Sequence, residues 1–154
     1  MINTLYETIG GRRIVSAAVD SFYRRVLADI TVRHFFESVD MEHLRARQSM
    51  FVSMLLGGKI VYTGRDITAA HTRSREKGLS DTHFDTILFH FRASLEEVGV
   101  EPEKVEKIMV LLEGTRNTVL NRRDRFGQPA RFPISTSRSP VLALITTQTH
   151  ASSL

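Results

Sequence analysis

Apolar residues recur at helical spacing along most of this 154-residue chain, and no stretch alternates apolar with polar as a half-buried strand would. From Ile14 to Ala28 the stripe is Val15, Val19, Phe22 and Val26, with Tyr23 beside it. Between Asp40, which suits an N-cap, and Gly57-Gly58 it is Met41, Leu44, Phe51, Val52 and Leu55. The strongest stripe runs through Phe84, Ile87, Leu88, Phe91, Leu95 and Val98, opened by Ser80 or Asp81 and closed by Gly99. Pro102 suits the first turn of a last helix carrying Val105, Ile108, Met109, Leu112 and Val119. A shorter helix is expected from Ile67 to about Ser74, after a loop that holds Tyr62, Gly64 and Asp66. Gly10-Gly11 ends a short first helical stretch, and Phe35-Phe36 falls in a short connection. The fold class is all-α.

Several function classes fall away on composition. The chain has no Cys, so it carries neither a disulfide framework nor a thiolate-bound metal. No apolar run nears the roughly 18 residues of a membrane span. Met1 to Glu7 lacks the basic-then-apolar layout of a secretory signal, so a cytoplasmic location is expected. Sixteen Lys/Arg balance sixteen Asp/Glu through residue 121, whereas residues 122–154 hold five Arg against Asp124 alone. The net charge of +4 therefore sits in the C-terminal tail, and no nucleic-acid-binding face is expected on the body. Gly127, Pro129, Pro133 and Pro140, mixed with Ser, Thr and Arg, argue against a helix there. The expected organisation is a helical domain over 1–124 and a basic, largely disordered tail over 125–154.

Three polar residues point at the core by their register. Gln48 lies within the stripe of Leu44, Phe51, Val52 and Leu55, and a buried amide costs free energy unless it finds partners. Tyr23 follows Val19 by four residues, and a buried phenol usually finds a hydrogen-bond partner. His71 follows Ile67 by four residues, next to Ala69-Ala70. Taken singly, each reads more readily as a satisfied core residue than as a functional one. His34, His43, His83, His90 and His150 form no spaced cluster and are assigned to surfaces or loops. Together, one histidine without partner ligands and a buried Tyr and Gln among Phe residues suit a planar metal macrocycle, because haem supplies four ligands itself. Spacing does not show that His71 faces Gln48.

Short motifs in order along the chain carry a resemblance. They are Leu5-Tyr6-Glu7, Gly10-Gly11, Phe22-Tyr23-Arg24-Arg25-Val26-Leu27-Ala28-Asp29, His34-Phe35-Phe36, Asp40-Met41, Arg47-Gln48, Leu56-Gly57-Gly58, Tyr62-Thr63-Gly64-Arg65, Ala70-His71, Gly78-Leu79 and His83-Phe84-Asp85. Residues 1 to about 124 resemble the group I truncated haemoglobins. The resemblance implies a two-over-two helical sandwich around one non-covalent haem b. It makes His71 the proximal iron ligand, Tyr23 the distal tyrosine that bonds bound oxygen, and Gln48 the distal glutamine that supports it. Phe36, with Phe35 beside it, matches the aromatic that packs on the porphyrin. Leu44 and Phe51 fall in the same lining set, and Tyr62, Arg65 and Arg47 are candidates for contact with the haem edge and its propionates.

Three departures from the family bear on function. Some cyanobacterial members carry an iron-ligating histidine where Arg47 stands, and a guanidinium is effectively never deprotonated, so an open or water-bound sixth site is expected. The histidine that some of them join covalently to a haem vinyl is Thr115 here, so no covalent link is expected. Leu44 and Gln48 match mycobacterial members that oxidise nitric oxide, but their phenylalanine gate aligns with Val52, and their basic N-terminal extension is lacking.

The leading expectation is a haem protein that binds O2, with NO and CO as further ligands, and converts NO to nitrate with an external reductase. Whether the chain works as an enzyme stays open at this point. The alternatives are a gas sensor or oxygen store without turnover, whose five tail arginines would contact phosphates or lipid headgroups, and a cofactor-free helical interaction domain. A monomer or weak dimer is expected.

Overall fold

A computed structural model gives the fold of residues 3–59, 65–123 and 127, without the side chains of Arg65 and Asp66. Tyr62, the Arg65 side chain, His150 and the expected tail over 125–154, Gly127 excepted, lie outside the described residues. The helices are α1 (Leu5–Ile9), α2 (Gly11–Ala28), α3 (Met41–Leu55), α4 (Arg65–Ala70), α5 (Thr72–Glu76), α6 (Asp81–Glu97), α7 (Pro102–Glu113) and α8 (Arg116–Val119), with a 3-10 turn at Arg33–Phe36. None is long and apolar enough to cross a membrane, among the described residues.

Helix α2 packs on both α3 and α6, and α6 packs on α7, so two helix pairs lie one over the other. The apolar stripes supply the seam between them. Val15, Val19, Phe22 and Val26 of α2, Phe84, Phe91 and Leu95 of α6, and Val105, Ile108 and Leu112 of α7 are all buried. Phe22 meets Phe91 across the seam, with ring centroids 5.1 Å apart. Polar contacts fix the same pairing at the surface. Glu97 of α6 accepts from Ser21 and from Arg24, 3.0 Å away, on α2.

The two Gly-Gly pairs bring α1 against the end of α3. Tyr6 donates its backbone N–H to the Leu56 carbonyl, 2.9 Å away, and Gly58 donates to the Ser53 carbonyl at 2.7 Å. A Cβ at Gly58 would stand 2.8 Å from that Ser53 oxygen, so this close approach needs glycine.

Several helix boundaries differ from the sequence expectation. Helix α2 begins at Gly11 rather than Ile14. The helix expected from Ile67 to Ser74 is two short ones, split at His71. The last helix is interrupted at Gly114-Thr115, where the buried Thr115 hydroxyl donates to the Leu112 carbonyl at 2.6 Å, competing with the helical ladder. Asp40 does cap α3, accepting from the His43 N–H at 3.2 Å, and Pro102 opens α7.

Of the histidines assigned to surfaces or loops, His90 is turned inward instead, His34 and His83 are half-exposed with their rings against Phe35, and His43 is exposed as expected. His34 and His83 flank Phe35, with ring centroids 4.0 and 5.0 Å from it. His83 also closes the N-terminal cap of α6, its Nδ1 accepting from the Ser80 N–H at 3.2 Å. His90 of α6 donates from Nε2 to Asp29 Oδ2 at 2.7 Å, tying α6 to the end of α2.

Asp29 also accepts from the Thr31 hydroxyl and N–H, 2.7 and 2.9 Å away. These bonds, the one from His90 first, hold its carboxyl at about 2 against an ordinary 3.8. A carboxyl lowered by folding stabilises the fold above its unfolded value, and that stability is lost as pH falls through the folded value. The advantage of wild type over Asp29→Asn in urea midpoint should therefore be full near neutrality and shrink as pH falls from 3.8 to about 2. It should be worth roughly 1–2 kcal/mol, since the pair is not fully shielded from water. An advantage independent of pH would remove Asp29 ionisation from the explanation.

Candidate functional site

His71 stands in the break between α4 and α5, where the backbone leaves the helical ladder (φ −103°, ψ 7°). Its Nδ1 lies 2.7 Å from the Ile67 carbonyl oxygen. A carbonyl only accepts, so Nδ1 carries the ring proton, and in the neutral imidazole Nε2 is left with a lone pair. The residue keeps some accessible surface, yet enough protein surrounds it for burial to be the main influence on its pKa. Burial pushes it below the ordinary 6.5, and the charges of Arg75 and Arg47 push the same way, against the bond to Ile67. The ring is thus held neutral and aimed by its own helix, which is the state and posture of a metal ligand.

Arg47 of α3 lies within electrostatic range of His71, which brings α3 and the His71 break to one region. Its Nε is buried without a hydrogen-bond partner. An orphaned guanidinium N–H calls for an anion, because such a group left unsatisfied is costly. Gln48, beside it on α3, is half-buried, as are Leu44 and Phe36, whereas Phe51 is buried.

Tyr23 of α2 is 2% exposed and meets Phe36 edge to face, with centroids 5.8 Å apart. Phe35, the neighbouring aromatic, turns away from this contact toward His34 and His83. The candidate residues therefore divide. Tyr23 and Phe36 are in contact, Arg47 and His71 are coupled by charge, and Phe35 packs on the α6 side.

Among the described residues, no group of three or more His, Cys, Asp or Glu gathers to hold a metal ion. His71 by itself offers one nitrogen, which suits a metal whose carrier brings its other ligands. Haem fits that requirement: it asks the protein for one nitrogen, apolar walls and cations for its propionates. His71 Nε2, the Phe36 and Phe51 side of the core, and the unpartnered Arg47 Nε match those three needs.

The comparisons with known proteins decide the family. The bacterial-like globin family model matches residues 4–121. A group 1 truncated haemoglobin of Tetrahymena pyriformis is 40% identical over 119 residues, covering 77% of this chain and 96% of that protein. The chain is a group 1 truncated globin. A relative from Synechocystis is 41% identical over 108 residues, covering 70% of this chain and 87% of that protein. The Fe(III) crystal structure of the Tetrahymena pyriformis protein superposes with a TM-score of 0.70 over 77% of this chain and 98% of that one. The 2/2 haemoglobin of Synechococcus, 36% identical, reaches 0.74 over 78% of this chain and 100% of that one. The two-over-two sandwich read from the motifs is the fold of the family.

The truncated globin's cofactor is haem b, held non-covalently, and a globin of this kind takes gaseous ligands such as O2. The Synechococcus structure has covalently attached haem. Here the position that the resemblance assigns to the linking histidine is Thr115, whose hydroxyl is buried on the Leu112 carbonyl and offers no ring nitrogen.

Two features of the site went unread in the sequence. The Ile67 carbonyl as the partner of His71 was available from the four-residue spacing. Arg75 was not, because it acts on backbone carbonyls that no side-chain pattern reveals. Its Nη1 donates to the Thr68 and Val119 carbonyls at 2.8 and 2.9 Å.

Proposed function

We propose that this globin reversibly binds dioxygen and uses it to oxidise nitric oxide to nitrate, with electrons from an external reductase. The observation that carries the reading is the His71 ring, neutral and held by Nδ1 on the Ile67 carbonyl, with Nε2 available to the iron. Haem supplies the ferrous centre that takes up a gas and gives one electron per turn, so that NO, O2 and that electron sum to nitrate. His71 is the protein ligand. Tyr23, held from water in the aromatic core, donates its O–H to the oxygen, and Gln48 donates an amide N–H beside it. Phe36, Leu44 and Phe51 form the apolar surround that excludes water and slows loss of the electron to solvent, while Phe35 packs on His34 and His83. Arg47 reaches a propionate rather than the iron, since a guanidinium has no lone pair to give a metal. Tyr62 and Arg65, the latter the first residue of α4, take the haem edge.

Reduced, haem-loaded protein mixed with NO under oxygen should yield stoichiometric nitrate in one turnover and need added reductant for more. Oxygen uptake without nitrate would sink the dioxygenation and leave storage or sensing. Failure of the ferrous protein to take up oxygen would sink the whole reading.

A further inference from the structure

We propose that Arg75 is a positioning residue for the haem ligand, a guanidinium that latches the His71 segment to the last helix of the domain. The inference rests on the assignment of His71 as that ligand.

Helices α4 and α5 have six and five residues. Helices this short do not hold themselves together, because nucleation costs more than one or two turns return. Their arrangement, and so the direction of the His71 ring between them, must come from contacts with the rest of the fold. Arg75 of α5 makes those contacts. One terminal nitrogen donates to the Thr68 carbonyl on α4 at 2.8 Å and to the Val119 carbonyl on α8 at 2.9 Å, and the other donates to the Thr72 hydroxyl at 3.1 Å. Both carbonyls belong to the last turns of their helices, where the dipole favours a cation, and the Thr68 carbonyl also accepts from the His71 N–H at 3.3 Å, so Arg75 and the ligand's own backbone meet on one oxygen. The Thr68 hydroxyl reinforces the tie, donating to the Thr118 carbonyl at 3.3 Å. Without Arg75, those two helix ends lose their shared cap, and the ring loses the frame that aims Nε2.

The test uses the haem-loaded protein and two readouts besides activity: the iron–histidine stretching band of the ferrous form by resonance Raman, and the rate of haem transfer to an apoglobin acceptor. Arg75→Met keeps the apolar stem and removes the donors. Arg116→Met is the control, since Arg116 is an arginine tied to the side chains of Asp81, Asp85 and Glu113. Arg75→Met should broaden or shift the band and speed haem transfer about tenfold, the lower range for losing a group that orients a metal ligand. Arg116→Met should leave the band in place. Should Arg75→Met lose helix content by circular dichroism, Arg75→Lys carries the same readouts, because one ammonium at that stem length does not serve all three acceptors. A band and transfer rate unmoved by loss of Arg75, or moved equally by Arg116→Met, overturns the inference. A wild-type protein with no iron–histidine band overturns the assignment of His71 itself.

Discussion

Replacing His71 with glycine should give a protein that no longer holds haem in stoichiometric amount, and added imidazole should restore the Soret band. The ring makes the one bond from protein to iron in the reading above, and its Nδ1 bond to Ile67 shows that the backbone is already spent on aiming it. Disturbing an orienting group alone costs about ten- to a hundredfold in metal affinity, so removing the ligand should exceed about a hundredfold. The substitution falls in a helix break rather than a helix interior, which keeps its cost to the fold small. Titration of the apoprotein with haem, with and without imidazole, measures the effect. An unchanged titration would mean that another side chain holds the iron.

Tyr23→Phe should release oxygen about ten- to a hundredfold faster while still binding haem in stoichiometric amount. Bound dioxygen carries partial negative charge, so a donor beside it makes a charge-assisted hydrogen bond worth about 1.5–3 kcal/mol, or one to two decades in rate. Phenylalanine keeps the ring that packs on Phe22 and Phe36, with centroids 4.9 and 5.8 Å away, and deletes only the hydroxyl. The change thus separates the donor from the packing. Stopped-flow displacement of oxygen by CO reads the rate directly, and an unaltered rate removes Tyr23 from oxygen retention. Gln48→Leu should act in the same direction, more weakly, because Gln48 is less deeply buried.

What could be read in advance follows the range of the forces involved. The stripes on α2, α3, α6 and α7 repeat within a few residues, so the helices and their buried faces were visible as pattern, and so were Asp40 and Pro102 as helix starts. The break at His71 was not, because it is held by ties from Arg75 and Thr68 to α8, 44 and 50 residues away. His90 was misplaced for the same reason: its partner Asp29 is 61 residues distant. Tyr23, Gln48 and His71 each look like ordinary core residues alone. Only the ordered set of short motifs gave them a common purpose, and the structure adds the atom on which the chemistry depends, a ring nitrogen left without a proton.

The brevity of α4 and α5 has a consequence for the life of the protein. A segment that cannot stand unaided gains its order as it takes up the cofactor, so ligand binding and folding become one event. The cofactor-free chain should then open locally around residues 65–76 at little cost, and proteases should cut there first. Supply of the pigment would set how long each molecule survives. The amount of working globin would follow porphyrin synthesis as closely as it follows translation.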